Sequence, residues 1–279
     1  MGAVEVEPSA PQSRTFRAIF ISDVHLGTRG CKAEFLLDFL KYCEAETIYL
    51  VGDIVDGWRL RRGWYWPQAH NDVVQKLLRK ARKGTRLVYL PGNHDEFLRA
   101  YTGKHFGGVE VVSEVEHVTA DGKRLLVMHG DAFDGVVTYA RWLALLGDWG
   151  YNLVLSVNTW FNLFRRRLGL GYWSLSAYLK FKVKNAVQFI DRFERTIAEE
   201  ARRRGVDGVV CGHIHHAEIR MIDEILYIND GDWVESCTAL VEHADGRLEI
   251  LRWAEIRRFS MLSSQRTDRD EAEHLEAAA

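Results

Sequence analysis

Apolar positions follow two periods along this chain, and the way the periods alternate predicts its elements. Short apolar runs at 18–21, 48–51, 87–90, 125–128 and 209–211 have the length and composition of buried strands. Between the first two, residues 32–43 place Phe35, Leu36, Phe39 and Leu40 at helical spacing. Residues 71–83 set Val73, Val74, Leu77 and Leu78 on one face and basic residues on the other, and Gly84 follows as a helix C-cap. Strands are predicted at 109–112, 115–119 and 124–128, then at 218–222, 226–229, 238–242 and 248–253, with a hairpin turn at Ala244-Asp245-Gly246. Strand–helix alternation followed by hairpins implies an α/β fold: a mixed sheet covered by helices.

One stretch breaks this pattern. Residues 134–189 hold 12 of the 32 aromatics in 56 positions, more than double the density elsewhere. Trp142, Leu145, Leu146 and Trp149 recur at i, i+3, i+4 and i+7, and Leu153, Val157, Trp160, Phe161 and Phe164 continue the stripe. The run Arg165-Arg166-Arg167 closes it, as cations suit a helix C-terminus. A long amphipathic helix is predicted over 175–204, ending at Gly205. Two readings fit the stretch: an extra helical layer, or a lid whose apolar face takes acyl chains or rests in a membrane interface. The predicted organisation is a disordered N-terminus (1–14), a main domain (15–133 and 205–258), a helical insertion (134–204) and a disordered tail (259–279).

Composition narrows the picture slightly. With 47% hydrophobic and 27% charged residues the chain reads as an ordinary globular protein. A net charge of −2 supplies no global basic field to recruit nucleic acid or an anionic membrane. Cys31, Cys43, Cys211 and Cys237 form neither a redox pair nor a zinc spacing, so buried, reduced thiols and a cytoplasmic location are expected.

The chemistry lies in five short blocks: Asp23-Val24-His25, Gly52-Asp53-Ile54-Val55-Asp56, Gly92-Asn93-His94-Asp95, His129-Gly130-Asp131 and Gly212-His213-Ile214-His215. Each follows an apolar, strand-like run. Carboxylates, imidazoles and a carboxamide at successive strand ends can converge on one rim, and so many oxygen and nitrogen donors are most simply explained as a site for two metals.

The order and spacing of the blocks resemble the calcineurin-like metallophosphoesterases, over residues 16–253. That resemblance implies an αββα sandwich with two divalent ions. Asp53 would bridge them; Asp23, His25 and His215 would complete one site, and Asn93, His129 and His213 the other. His94 would protonate the leaving oxygen or stabilise the transition state, with Asp95 orienting its ring and Asp56 in a supporting role. Donors of this kind, without thiolate, suit Mn, Fe or Zn.

Within the superfamily the aromatic insertion makes the chain look like the UDP-2,3-diacylglucosamine diphosphatases of lipid A synthesis, which cleave a pyrophosphate to UMP and a lipid-sugar 1-phosphate. Mn2+ and an amphiphilic substrate follow from that likeness, with peripheral association at the inner membrane surface. Arg59, Trp142, Trp149, Trp160, Phe164 and Arg165 are the candidate substrate contacts. This chain differs from the branch at two positions: His94 stands where the branch carries Arg, and Asp56 where it carries Glu. Another lipid-linked or nucleotide phosphodiester, or a nuclease-like substrate, is the alternative.

Overall fold

The computed structural model describes residues 13–133 and 175–257. The chain divides into two compact units, Met1–Asp131 with Ala201–Ala279, and Ala132–Glu200. In chain order its strands are β1 (Arg14–Ile21), β2 (Cys43–Leu50), β3 (Arg86–Tyr89), β4 (His105–Phe106), β5 (Val109–Val111), β6 (Val115–Val118), β7 (Arg124–Val127), β8 (Gly208–Cys211), β9 (Glu218–Ile222), β10 (Ile225–Asn229), β11 (Thr238–Glu242) and β12 (Leu248–Arg252). The described residues include the α-helices α1 (Ala33–Tyr42), α2 (Gly57–Arg62), α3 (Gln68–Arg82) and α4 (Leu175–Arg203), and residues 253–257 are helical as well. None is long and apolar enough to cross a membrane.

Two sheets form: a seven-stranded one in the order β12-β11-β1-β2-β3-β5-β4 and a five-stranded one in the order β6-β7-β8-β10-β9. The continuous apolar runs of the sequence arise because the central strands are covered on both faces. In β1, Ile19 and Ile21 join Leu36, Phe39 and Leu40 of α1 and Val73 and Leu77 of α3 in one core. The alternate residues Ala18 and Phe20 face Leu125, Val127, Val210 and Ile228 of the second sheet in another. Phe20 also stacks on Tyr49, with ring centroids 4.8 Å apart. Each such buried side chain contributes about 1.5–3 kcal/mol.

The expected α/β sandwich is present, with refinements. Residues 43–47, not expected as strand, extend β2 directly from the end of α1: Cys43 and Ala45 are buried while Glu44 and Glu46 point outward, a period-2 pattern with too few apolar positions to stand out. Buried Lys80 ties α3 to this strand, its Nζ donating to the Cys43 carbonyl (2.8 Å) and to Glu44 Oε2 (2.6 Å). β1 starts at Arg14, inside the segment expected to be disordered. The expectations for the rest of 1–14, for 259–279 and for the aromatic stripe up to residue 174 lie outside the described residues. α4 matches the helix expected there, and Gly205, with φ +68°, follows it. All four cysteines are free and buried.

Topology places the chemistry. β1, β2 and β3 run parallel in the first sheet, as do β7, β8 and β10 in the second. The carboxyl ends of β1, β2, β3, β7 and β8 lead into the motif blocks, the place where open α/β sheets take their ligands.

Candidate metal centre

The backbone turns sharply at the donors themselves. Asp23, His25, Asp53, His213 and His215 all have φ between 50° and 71°, five of the seven positive-φ non-glycine residues described. Such left-handed residues cost of order 1–3 kcal/mol and persist only where surroundings hold them. Here cross-strand bonds do so: Asp23 N to the Gly52 carbonyl (3.0 Å), His25 N to the Asp53 carbonyl (2.9 Å) and Gly212 N to the His129 carbonyl (3.3 Å). The third block comes close because Gly92 has no side chain. A Cβ there would lie 2.6 Å from His129 Cδ2 and overlap Asp53 Oδ1.

The donors then assemble around Asp53. Its Oδ2 lies 3.4 Å from His129 Nε2, and 4.0 Å from each of His25 Nε2 and His94 Nε2. Asp23 Oδ1 lies 3.0 Å from His215 Nε2 and 3.8 Å from His25 Nε2. Three groups have their donor atoms within 4.8 Å of one another: Asp23, His25 and His215; Asp53, His129 and His213; and His25, Asp53 and His94. Asp53 belongs to two of them. Each of the two central aspartates spends its other oxygen on backbone: His94 N donates to Asp53 Oδ1 and His213 N to Asp23 Oδ2, both at 2.8 Å. His129 Nδ1 donates to the Val51 carbonyl (2.8 Å), which turns the lone pair of Nε2 toward Asp53.

Divalent cations fit this arrangement. Asp23 Oδ1, His25 Nε2, Asn93 Oδ1 and His129 Nε2 are buried without a hydrogen-bond partner. Orphaned polar atoms cost about 1–3 kcal/mol each, so four convergent ones call for a ligand. Electrostatics agree. Burial would raise the Asp53 carboxyl, but His129 and His25 outweigh it and hold the pKa at about 2. Burial would lower His25, yet Asp23, Asp56 and Asp53 lift it to about 9. His129 is likewise raised, burial being overcome by Asp53. The carboxylates thus demand positive charge at this spot, which protons or metal ions can provide.

Asp56 and Asp95 have roles that residue type could not separate. Asp95 does not orient His94. Its Oδ1 accepts from Gly92 N (2.6 Å) and Asp53 N (3.3 Å), and its Oδ2 from Ile54 N (2.8 Å), Val55 N (3.3 Å) and Tyr89 Oη (2.5 Å). With both oxygens taken up by the second and third blocks, it clamps those loops together. The carboxylate beside His94 is Asp56, whose Oδ2 lies 3.0 Å from His94 Nδ1 and 3.3 Å from His25 Nδ1. Its Oδ1 caps α2 by accepting from Arg59 N (2.8 Å).

Two supporting residues escaped the sequence. Ser22 Oγ lies 2.6 Å from Asp23 Oδ2 and 2.5 Å from Asp230 Oδ1. Ser22 Oγ also lies 3.0 Å from the Gly231 carbonyl, so this one hydroxyl ties Asp23 to the Asp230-Gly231 turn, and burial with the nearby Asp23 charge raises the Asp230 pKa. No motif announces Asp230. Arg59 lies exposed on α2, and His216 is a surface residue 3.6 Å from Glu218 Oε2. Trp142, Trp149, Trp160, Phe164 and Arg165 lie outside the described residues.

Several known proteins are similar to this chain. A UDP-2,3-diacylglucosamine hydrolase of Azotobacter vinelandii is 25% identical over 227 residues, 77% of this chain and 90% of that one. One from Aliivibrio fischeri is 25% identical over 249 residues, 81% of this chain and 94% of the other. Among solved structures, Yfce, a phosphoesterase from E. coli, aligns with a TM-score of 0.42 at 16% identity, covering 84% of this chain and 98% of that one. The sequence model of the calcineurin-like phosphoesterases matches residues 16–217. That span is most of the chain and takes in every donor block, so this protein belongs to the calcineurin-like phosphoesterase family and is a metal-dependent phosphoesterase.

Proposed function

We propose that the protein hydrolyses a phosphoester or pyrophosphate bond at a two-cation centre. We further propose that its substrate is of the UDP-2,3-diacylglucosamine type, cleaved to UMP and a lipid-sugar 1-phosphate. The observation that carries the first part is the sharing of Asp53 between donor groups. Asp23, His25 and His215 with Asp53 would hold one ion; Asn93, His129 and His213 with Asp53 the other. Two ions, Mn2+ first and Fe or Zn next, would supply the Lewis acidity that lowers the pKa of a water and neutralises charge on the phosphoryl group.

The remaining chemistry belongs to the chain. His94 Nδ1 lies beside Asp56 Oδ2 at 3.0 Å, which fixes a proton on that nitrogen and leaves Nε2 toward Asp53 and the reacting phosphorus. As the imidazolium, with a proton on each ring nitrogen, His94 would give the Nε2 proton to the leaving oxygen and keep the Nδ1 proton against Asp56. Asp95 holds the Asp53 and Gly92 loops at fixed spacing. Arg59, exposed on α2, would meet a phosphate of the substrate. The aromatics of the insertion, Trp142, Trp149, Trp160 and Phe164 with Arg165, would cover acyl chains, consistent with a cytoplasmic enzyme working at the inner membrane surface.

The similarity of the two hydrolases over most of this chain supports the lipid-sugar substrate. The pairing of His94 with Asp56 favours a second reading: another lipid-linked or nucleotide phosphodiester, with a nuclease-like substrate behind it. Product analysis of Mn-loaded protein separates them. Release of UMP from UDP-2,3-diacylglucosamine is the expected result. Turnover of bis-p-nitrophenyl phosphate alone would remove the lipid-sugar assignment and keep the phosphoesterase.

A further inference from the structure

His94 has a ring neighbour that the reaction above does not use. Trp58, in the first turn of α2, places its ring centroid 4.3 Å from that of His94 at an interplanar angle of 37°. Its ring is tethered on the other side, Nε1 donating to Glu96 Oε1 at 3.3 Å. The helix start is fixed to the same loop: Gly57 N donates to the His94 carbonyl at 2.9 Å. A side chain at Gly57 would meet that carbonyl at 3.0 Å and Phe97 Cε1 at 2.9 Å, so the close approach of helix and loop needs glycine there.

Asp56 ends this arrangement as the N-cap of α2, holding His94 Nδ1 with the oxygen the helix does not use. One contact at Nδ1 fixes a point on the imidazole but leaves the ring free to tilt about it. An indole packed against the ring at this distance limits that tilt. The His25 ring, 4.6 Å away at 89°, bounds the motion from the metal side. Trp58 is nonetheless 41% exposed, more surface than a large apolar ring usually leaves to water, so burial alone does not account for its place.

We propose that Trp58 is a positioning residue for His94: the indole, held by Glu96 and carried by the Asp56-capped helix, sets the imidazole plane so that Nε2 points at the leaving oxygen. The inference rests on the proton-donor role given to His94 above. It makes α2 one device with two contacts, a carboxylate for the proton position and an aromatic plane for the ring angle. Misplacing a reacting group by about 1 Å costs up to about 100-fold in rate, which is the scale of effect at stake.

The test compares wild type, Trp58→Ala and Trp58→Phe as Mn-loaded full chain on two diesters. One is bis-p-nitrophenyl phosphate, whose leaving oxygen needs no proton; the other is an unactivated dialkyl phosphodiester followed by release of the alcohol, whose leaving oxygen does. Trp58→Ala should lower kcat on alcohol release by about 10- to 100-fold with KM little changed, while p-nitrophenolate release falls by less than about threefold. Trp58→Phe, which keeps the stack and loses the Glu96 bond, should recover most of the loss. In metal-free protein, the His94 ring-proton resonances should lose their ring-current displacement in Trp58→Ala and keep most of it in Trp58→Phe. Equal losses on both reactions, or a rise in KM without a fall in kcat, would overturn the proposal in favour of substrate stacking on Trp58. Unchanged rates and resonances would overturn it outright. A wild type that cleaves neither diester would instead bring down the phosphoesterase reading on which it rests.

Discussion

Replacing Asp95 by Asn should unfold the protein earlier rather than disarm its chemistry. The carboxylate accepts from five donors, two at Oδ1 and three at Oδ2. An amide puts a donor in place of one oxygen. The cheaper orientation sacrifices Oδ1, losing the 2.6 Å bond from Gly92 N and the 3.3 Å bond from Asp53 N, and sets N–H groups against each other. Bonds to a charged acceptor are worth about 1.5–3 kcal/mol each. Burial and the nearby Asp53 charge raise the Asp95 pKa, which places the two bonds at the low end of that range, a loss of about 3 kcal/mol. For a domain of this size that corresponds to a fall in Tm of about 6–12 °C. Thermal melts of chelator-treated Asp95→Asn and Asp56→Asn measure it side by side. The amide in Asp56→Asn keeps the helix cap but gives up the contacts of Oδ2 with His94 and His25, so that variant should also melt lower and, unlike Asp95→Asn, should lose turnover. If Asp95→Asn melts like wild type and loses turnover as Asp56→Asn does, the clamp assignment is wrong and Asp95 acts through His94.

Two further outcomes follow from the same geometry. The carboxylates raise the pKa of His25 to about 9 and raise that of His129 in the same sense, so protonation of these imidazoles competes with cation binding in the metal-free protein. Since a ligand imidazole must give up its proton, each ion's affinity should rise on the order of tenfold per pH unit toward pH 9, with proton release seen as buffer-dependent heats in calorimetry; buffer-independent heats would exclude these histidines as ligands. Gly92→Ala forces a Cβ onto Asp53 Oδ1 and His129 Cδ2, so metal content by mass spectrometry should fall below one ion per chain, while Gly63→Ala, with nothing within 4 Å, leaves it unchanged.

Much of this was legible in the sequence because the physics behind it is local. A strand covered on both faces must be apolar throughout, so the runs at β1, β3 and β8 stood out; α1 and α3 showed helical periodicity because each buries one face. The donors were legible because each lies within a few residues of a strand end. What could not be read was either weakly patterned or long-range. The first half of β2 is polar on alternate positions and follows α1 without a turn. α2 is 6 residues long, too short to display a period, yet it carries both Asp56 and Trp58 to His94. Asp230 reaches Asp23 through Ser22 across a separation of 208 residues. No short motif encodes such a contact.

The carboxylates show most clearly where residue type stops being informative. Asp23, Asp53, Asp56 and Asp95 all lie in short motif blocks at strand ends, and all are buried. They differ in how many of their oxygens the protein itself consumes. Asp95 gives both to backbone N–H groups and a tyrosine, and is left with nothing to offer an ion or a histidine. Asp56 gives one oxygen to a helix start and the other to imidazoles. Asp23 and Asp53 each give one to a backbone N–H, and each turns the other toward the histidines at the rim. The N–H that meets Asp23 belongs to His213, itself in left-handed backbone, while the one that meets Asp53 comes from His94, which is not. Asp23 and Asp53, the two carboxylates that keep an oxygen for the rim, are themselves left-handed residues, whereas Asp56 and Asp95 are not, so relaxing the turn at either would move a donor away from the cation site.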